Sequence, residues 1–369
     1  MSKQALITLT PLDPYLFGGE LTHGNGDGAN YFSKGNPLPQ QTTICGTLRH
    51  LLFKRGPSKS SRGPNSFTPD DPKLNDYGDL LSLSPLFLTD GAAFFLRQAI
   101  DRHEGDTEPF ELSGEKPKEW ILFDSGELPS EANSPAKWRN AHCWENFDPK
   151  KDLADYWVSP SGSPVKPSKI FKIFTRPGIP KKELRRPKIN GPGLFKQQLY
   201  RLAPDWAFCV LAEFSDGVDL DELNHSTLPL GAEKAIFHIS VQAEHRSFEA
   251  IFPPKTMFDR KQGPGQSYLV LTSDAWVTDD VWQFATAAVT ETADFRHIRT
   301  HEQVKAFGRL HRWNGKADPT DQMAKSSKYT LLRRGSVLVT NPENLLGLQN
   351  ALSVEPWRTI GYNHFFTYP

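Results

Sequence analysis

The sequence lacks the features that mark membrane-spanning, secreted and disulfide-bonded proteins. No apolar run approaches the roughly 18 residues needed to cross a bilayer, and the apolar stretch that follows Met1 is too short for a secretion signal. The 369 residues include three cysteines and no CxxC pair: Cys45, Cys143 and Cys209. We therefore expect no membrane contact, no disulfide framework and no zinc site, with a reducing cytoplasm as the compartment.

Sequence motifs of common cofactor-dependent and hydrolytic enzymes are also missing. There is no Walker loop, no GxGxxG motif after a strand and no GxSxG motif. From these absences we expect no cofactor and no bound metal.

A net charge is absent too, because Lys plus Arg and Asp plus Glu both number 43. The neutral sum conceals a basic segment from Lys166 to Arg201, in which Glu183 is the only acid and the net charge is about +10. Its bases are Lys166, Lys169, Lys172, Arg176, Lys181, Lys182, Arg185, Arg186, Lys188, Lys196 and Arg201. Such an excess repels itself unless a polyanion or solvent screens it, and phosphate contacts supply much of the affinity for nucleic acid. The segment therefore favours RNA contact.

Glycines and prolines interrupt this basic segment, for example at Pro177-Gly178 and at Gly191-Pro-Gly193. They favour a loop or a β-ribbon over a continuous helix. An acidic run from Glu213 to Glu222 follows directly. The alternative to RNA contact is a solvated basic face that this acidic run balances.

The order of predicted elements repeats once along the chain. In the first half we predict a strand at 5–12, a helix at 42–53 capped by Thr42 or Thr43, strands at 169–174 and 207–214, a helix opening at 219–223, a turn at 228–233 and a strand at 236–241. In the second half we predict a strand at 268–272, a helix at 278–290, strands at 305–310 and 335–340, a helix at 342–352 and a strand at 364–368. This order is typical of an α+β fold with two ferredoxin-like (RRM-like) βαββαβ domains, residues 1–245 and 246–369. A long insertion occupies about 56–165 of the first domain, and its Pro-, Ser- and Gly-rich start at 56–72 predicts an exposed connection.

Five short landmarks occur in order along the sequence. They are Leu9-Thr-Pro-Leu-Asp-Pro-Tyr-Leu-Phe17, the proline-led start of the first helix at 37–49, Gly193-Leu-Phe195 with Tyr200-Arg-Leu202, the turn at 228–233, and Arg334-Gly-Ser-Val337. In this order they are similar to the RAMP superfamily and, more narrowly, to the Cmr-module subunit of type III-B effector complexes that grips the 5′ handle of the CRISPR RNA. Ala232 departs from the glycine that the family often has in its turn.

The resemblance implies a non-catalytic subunit of an RNA-guided ribonucleoprotein for antiviral defence. Its implied partners are the 5′ handle of the CRISPR RNA, the large polymerase-type Cmr subunit, a Cmr backbone subunit and, indirectly, the target RNA. Glycine turns let backbone amides approach phosphates, and aromatic rings stack on unpaired bases. The candidate RNA-binding residues are therefore Thr43, Gly46, Arg49, Lys169, Lys172, Arg176, Lys181, Lys182, Arg185, Arg186, Lys188, Gly231, Gly361 and Tyr362. For the helix residues a structural role is the alternative, and for Tyr362 and Phe32 a place in the core.

The eleven histidines raise a competing hypothesis, a metal-independent endoribonuclease of the RAMP superfamily that cuts precursor CRISPR RNA. Such an enzyme needs a general acid or base near the scissile bond, and His23 and His50 are the best candidates. The spacing of His297 and His301 would place two imidazoles on one helical face as a metal pair, or as part of a solvated basic helix. A scaffold without RNA contact would leave the basic segment unexplained.

Overall fold

The computed structural model describes residues 2–18, 32–55, 67, 75, 77–106, 108–112, 119–123, 144–148, 151–162, 164–178, 195–231, 234–258, 265–295, 298–299, 324–325 and 329–369. The strands are β1 (Lys3–Pro11), β2 (Phe32–Lys34), β3 (Leu80–Leu83), β4 (Phe87–Thr89), β5 (Phe94–Arg97), β6 (Glu111–Leu112), β7 (Glu119–Phe123), β8 (Trp144–Glu145), β9 (Trp157–Val158), β10 (Phe171–Gly178), β11 (Phe195–Leu202), β12 (Ala207–Phe214), β13 (Ser226–Leu230), β14 (Ala235–Ala243), β15 (Ser267–Leu271), β16 (Ala275–Trp276), β17 (Ala287–Phe295), β18 (Ile298–Arg299), β19 (Ala324–Lys325), β20 (Tyr329–Leu332), β21 (Val337–Thr340) and β22 (Phe365–Tyr368).

The α-helices are few and mostly short. They are α1 (Gln41–Arg55), α2 (Pro167–Ile170), α3 (Leu220–Leu223), α4 (Phe248–Ile251), α5 (Pro254–Met257), α6 (Val281–Phe284) and α7 (Leu345–Leu352), with 3₁₀ turns at Pro342–Asn344 and Arg358–Ile360. No helix in the described part of the chain is long and apolar enough to cross a bilayer. The fold is thus α+β, as the sequence predicted, and its β-sheets are mostly antiparallel.

The first sheet has the strand order β13-β14-β1-β12-β4-β5-β9, and β3 also pairs with β12. Strand β1 is central, because it pairs antiparallel with both β12 and β14. Every residue of β12 except Glu213 is buried, which explains the dense apolar run that predicted this strand. The inward side chains of β1, Ala5, Ile7 and Leu9, belong to the same hydrophobic cluster as the buried face of α1.

The second sheet has the order β16-β20-β17-β21-β15-β22, and β7 adds to it in parallel beside β17. The long segment predicted as an insertion therefore supplies strands to both sheets, since β3, β4, β5 and β9 extend the first. A separate ribbon consists of β10, β11 and β2. The division of the chain at 245–246 stays a prediction.

Two element predictions need correction, and a third is not tested. The helix predicted at 278–290 is wrong beyond Phe284, because residues 287–295 form β17. Residues Ala287–Val289 pair with both β21 and β7, and Thr292–Phe295 pair with β20. The β-branched residues of this stretch suit a buried strand, and pairing on both sides outweighs its apparent helical spacing. Residues 167–170 form one helical turn, so the strand predicted at 169–174 begins at Phe171 instead. The strand predicted at 305–310 lies outside the described residues.

The first helix begins before its predicted cap. Helix α1 starts at Gln41, so Thr42 and Thr43 lie within its first turn. The Gln41 side chain is fully buried, and its amide Nε2 donates to the carbonyls of Ser84 and Gly361 at 3.0 and 2.9 Å. The start of the helix is therefore tied to distant backbone rather than to a local side-chain cap.

An aromatic cluster joins the predicted exposed connection to the interior. Phe67 is 4% exposed, and its ring centroid lies 4.6 Å from that of Trp357. Phe295 and Tyr362 pack against the same Trp357 at 5.5 and 5.3 Å. Phe67 is the one described residue between 56 and 72, and there the prediction of exposure is wrong. Burying its large aromatic ring lowers the free energy by more than placing this polar segment against the interior raises it.

The turn between β20 and β21 connects the two sheets. Arg334 is 5% exposed, and its backbone N and side-chain Nε donate to Asp274 Oδ1 at 3.0 and 3.2 Å, while Nη1 donates to the Leu86 carbonyl at 3.3 Å. Burial alone would raise the pKa of Asp274, but the Arg334 guanidinium outweighs it and holds that pKa below its ordinary value. Gly335 follows with φ at +86°, and a Cβ there would lie 2.6 Å from the Gln98 carbonyl. The turn therefore fits closely against the first sheet.

Removing the Arg334 guanidinium should destabilise the fold markedly. Arg334→Met leaves the Asp274 carboxylate and the Leu86 carbonyl without their charged donor, and breaking a buried ion pair costs about 3–5 kcal/mol. We expect the lower end, because 22% of the Asp274 side chain is exposed. Urea unfolding measures the decrease in the free energy of unfolding. The matched control Arg246→Met removes the pair with Glu244, in which the Arg246 side chain is 56% exposed, and should cost about 0–1 kcal/mol. Equal losses would contradict the role assigned to Arg334.

Acidification should destabilise the protein through His364. Burial lowers the pKa of His364 to about 4, and its Nε2 lies 3.2 Å from the Arg358 carbonyl. Because an unfolded histidine titrates near about 6.5, the unfolded state binds the extra proton between about pH 6.5 and 4. Stability should therefore fall with falling pH by at most about 1.4 kcal/mol per pH unit in that window. The free energy of unfolding of the wild type and of His364→Gln, measured across this pH range, tests this dependence on pH. The variant should lack it. His50→Gln, at an exposed histidine, should keep it.

Candidate nucleic-acid interface

Tyr15, within the first sequence landmark, is fully buried where three segments meet. Its backbone N–H and carbonyl exchange hydrogen bonds with Tyr200 of β11 at 2.8 and 2.9 Å. Its hydroxyl donates to the Pro37 carbonyl at 3.0 Å, at the proline-led start of α1. Burial, with a smaller effect from Tyr200, raises the pKa of Tyr15, so the hydroxyl stays a neutral donor. Three of the five landmarks thus share one anchor.

The turn at Gly231 is packed against the first landmark. Gly231 has φ at +83°, and a Cβ there would lie 2.6 Å from the Leu16 carbonyl oxygen. Glycine is therefore required for close contact within the protein. RNA contact by Gly231 stays a prediction, and Ala232 and Glu233 lie outside the described residues.

The last turn, at Gly361 and Tyr362, is also part of the interior. Gly361 has φ at +91°, and a Cβ would lie 2.3 Å from both Ser84 O and Gln41 Nε2. Tyr362 is 1% exposed, and burial raises its pKa well above the ordinary value for tyrosine. Asn363 donates through Nδ2 to the carbonyls of Trp276 and Leu352 at 2.7 and 2.8 Å. Stacking of Tyr362 on RNA would require it to leave this core, so its RNA role stays a prediction.

The three candidates on α1 differ in exposure. Gly46 faces solvent, with no atom within 4 Å of a built Cβ. Thr43 is half-buried, and its carbonyl accepts the Thr47 hydroxyl at 2.8 Å. Arg49 is half-buried near Cys45; burial raises the pKa of that thiol to about 12 while the Arg49 charge opposes the rise. Only Gly46 of the three is freely accessible, and nothing in the structure tests their contact with RNA.

The described parts of the basic segment form an antiparallel ribbon, as the sequence predicted. Strand β10 pairs with β11 from Phe171↔Leu202 to Gly178↔Phe195, and β11 pairs on its other side with β2. Strand β10 is an edge, and each side chain from 172 to 177 is exposed. The exposed bases are Lys166, Lys169, Lys172, Arg176, Lys196 and Arg201. The remaining candidates, Lys181, Lys182, Arg185, Arg186 and Lys188, lie outside the described residues.

The charges on this ribbon are unfavourably placed in the isolated protein. Lys172 lies directly opposite Arg201 across the strand pair, and like charges in that position destabilise a sheet. Lys172 Nζ donates to the Ser168 carbonyl at 2.8 Å, and Arg176 Nη2 donates to Gln197 Oε1 at 3.0 Å. These two acceptors are uncharged, whereas Lys166 Nζ donates to the Glu104 carboxylate. A polyanion would supply opposite charge where Lys172 and Arg201 face each other.

A cleft of about 170 Å³ lies beside the ribbon, between the two sheets. It is lined by Asn36, Pro37, Leu38, Pro39, Gln40, Arg97, Asp155, Trp157, Pro167, Phe171, Asp274, Ala293, Leu331, Arg333, Arg334 and Tyr362. Arg97 is matched by acids, since Nε donates to Asp155 at 3.0 Å and Nη1 to Glu291 at 2.9 Å. Arg333 Nε donates to the Thr292 carbonyl at 2.9 Å. The cleft is smaller than the roughly 300–1,000 Å³ of typical ligand pockets.

Sequence reasoning missed Arg97 and Arg333 because each is a single base on a strand or turn with no spacing pattern. The one available signal for Arg333 was its place directly before the Arg334 landmark.

The described residues do not bring the candidate histidines together into a catalytic site or a metal site. His23, His297, His301 and His311 lie outside them. His50 is exposed on α1. The part of the chain that the structure describes contains no cluster of three or more histidine, cysteine, aspartate or glutamate side chains able to hold a metal ion.

Comparisons with known proteins point to one family. The family model of the CRISPR-associated protein Cas_Cmr3 matches residues 7–369. No curated protein matches the chain. Among solved structures, a chain from the type III-B Cmr-beta complex bound to cognate target RNA has a TM-score of 0.48 and 13% identity, and one from the same complex with target RNA and AMPPnP has 0.49 and 12%. Both comparisons cover 99% of this chain and 96% of the other.

The family model covers nearly the whole sequence, including all five landmarks, and the assignment rests on it. It also confirms the resemblance drawn from the sequence to a Cmr-module family. The chain belongs to the Cas_Cmr3 family of CRISPR-associated proteins.

Proposed function

We propose that this protein is a non-catalytic subunit of a type III-B CRISPR (Cmr) RNA-guided interference complex, in which it binds the 5′ handle of the CRISPR RNA. Family membership supports a place in a Cmr complex. The observation that carries the RNA-binding role is the exposed basic ribbon, with Lys172 and Arg176 on its edge strand β10 and Lys196 and Arg201 on β11.

The ribbon has the properties of a surface for a single-stranded polyanion. Its bases are exposed, so phosphates can approach without first breaking a core. An anion placed at Lys172 and Arg201 would relieve the repulsion between them. Proteins hold single-stranded RNA through such basic grooves together with stacking on aromatic rings.

The partners follow from the family resemblance. We propose that the protein bridges the large polymerase-type subunit to the backbone subunits and meets target RNA indirectly. Target cleavage and nucleotide chemistry then belong to those neighbours, and this chain contributes binding. The solved chains that match come from Cmr-beta complexes with target RNA, and they are 12–13% identical to this chain. At that identity the partners of this chain are proposed rather than shown.

We also propose that each half is a ferredoxin-like unit of the RAMP type. The antiparallel orders β14-β1-β12-β3 and β22-β15-β21-β17 support this, because both follow the 4-1-3-2 arrangement of a split βαβ unit. The second strand of the first unit is then β3 rather than the strand predicted near 169–174. Of the connecting helices, α1 and α7 are substantial, whereas α3 and α6 are single turns.

Charge reversal on the ribbon should weaken RNA retention. In the assembled complex, Lys172→Glu with Arg176→Glu should lower affinity for the CRISPR RNA, because two phosphate contacts are replaced by repulsion. The dependence of log K on log salt should become shallower by about 1.4, since each phosphate contact on a single strand contributes about 0.7. Filter binding at a series of salt concentrations measures both quantities.

The matched control reverses two exposed lysines far from the ribbon in sequence, Lys151→Glu with Lys255→Glu. It changes the net charge equally and should leave affinity and salt slope near wild type. If both double variants weaken RNA equally, bulk charge rather than the ribbon holds the RNA.

The absence of catalysis is a separate prediction. Precursor CRISPR RNA incubated with the purified chain should stay intact, and His50→Ala should change nothing, because exposed His50 makes no side-chain hydrogen bond within the described residues. Gel analysis of end-labelled RNA measures this. Cleavage that His50→Ala abolishes would replace the present proposal with the endoribonuclease.

A further inference from the structure

Two large apolar side chains are exposed side by side in the sequence of the edge strand β10. Ile173 is 65% exposed and Phe174 is 51% exposed. Successive side chains of a strand point to opposite faces, so these two do not form one contiguous apolar patch. A protein interface usually buries a contiguous apolar centre, and two isolated side chains on opposite faces do not provide one.

The face that carries Phe174 is rich in positive charge. Lys172 and Arg176 lie two residues before and after it, each about 7 Å along the strand, and so share its face. Arg201 lies directly opposite Lys172 and adds a third base to the same face. All three bases are exposed.

The opposite face of β10, which carries Ile173, can be compared with the Phe174 face. Ile173 shares its face with Thr175 and Pro177, and its cross-strand partner is Tyr200. On β10 and β11 the base of this face is Lys196, opposite Pro177, and on β2 Lys34 is in register with Gln198. The two faces thus match in apolar exposure but differ in aromaticity and charge.

We propose that Phe174 is a stacking platform for one unpaired nucleobase, with the adjoining phosphates held by Lys172 and Arg176. An exposed ring between cations matches the chemistry of single-stranded nucleic acid, which combines flat bases with a charged backbone. This inference rests on the proposed RNA-binding function and extends it, because it names a base-stacking subsite on the ribbon. Sequence reasoning assigned stacking to Tyr362 or Phe32, whereas Phe174 is the described aromatic side chain presented among bases.

The test compares Phe174→Ala with Ile173→Ala in the assembled complex. The probe is a set of 5′-handle RNAs that carry 2-aminopurine at successive positions, whose fluorescence falls when the base stacks. Loss of one stacked base should weaken binding about 5- to 150-fold without changing the salt slope. One probe position should lose its quenching in Phe174→Ala, while Ile173→Ala and Phe174→Trp should behave like the wild type.

The outcomes separate this inference from the proposed function. If Lys172→Glu with Arg176→Glu releases RNA but Phe174→Ala binds normally, the stacking site is wrong and RNA binding stands. If wild type and all variants fail to bind handle RNA, the proposed function itself is wrong. Equal loss in Ile173→Ala and Phe174→Ala, or release of a protein subunit by either, would assign the ribbon to a protein partner and overturn the stacking site.

Discussion

The buried guanidinium of Arg334 is the interaction on which the arrangement of the two sheets depends. It binds Asp274 within its own half and the Leu86 carbonyl in the other. A guanidinium placed in the interior must be both neutralised and hydrogen-bonded, and the planar Arg334 group meets both needs at once. Lysine has no such planar fork of donors, so it could not satisfy a carboxylate and a distant carbonyl in the same geometry. Together with the Gln41 amide, which binds Ser84 and Gly361, this interaction ties both halves to the short segment between β3 and β4.

The glycine turns owe their glycines to close packing against other segments of the chain. Gly231, Gly335 and Gly361 all have positive φ, and at each a Cβ would collide with a carbonyl of another segment. Left-handed backbone and close approach are the two conditions that only glycine meets without strain. A glycine turn that resembles a phosphate-binding loop in sequence can therefore be fully explained by packing within the chain. The same holds for Tyr362, whose ring fills the aromatic cluster around Trp357.

The ribbon is free of these constraints. Its exposed bases lie on β10 and β11, where Lys172 and Arg201 stand directly opposite each other. The acidic residues that follow it in sequence have local roles, as where the Asp219 side chain accepts the Asp221 N–H to cap α3. The zero net charge is thus a sum over regions of opposite local charge, which is why the total charge gives no information about binding.

The sequence by itself determined the α+β class, the strands at β1, β12, β14, β15 and β22, the helix α1, the ribbon and the family, because these depend on local periodicity, charge and short motifs. The tertiary structure decided the rest. Residues 287–295 became a strand because they pair with β7, β20 and β21, and Phe174 is exposed because no other part of the described chain covers its side of the ribbon. Whether Gly361, Tyr362 and Arg334 face solvent or the interior depends on residues more than 200 positions away, such as Ser84 and Leu86. No local pattern contains that information, since burial is a property of the assembled chain.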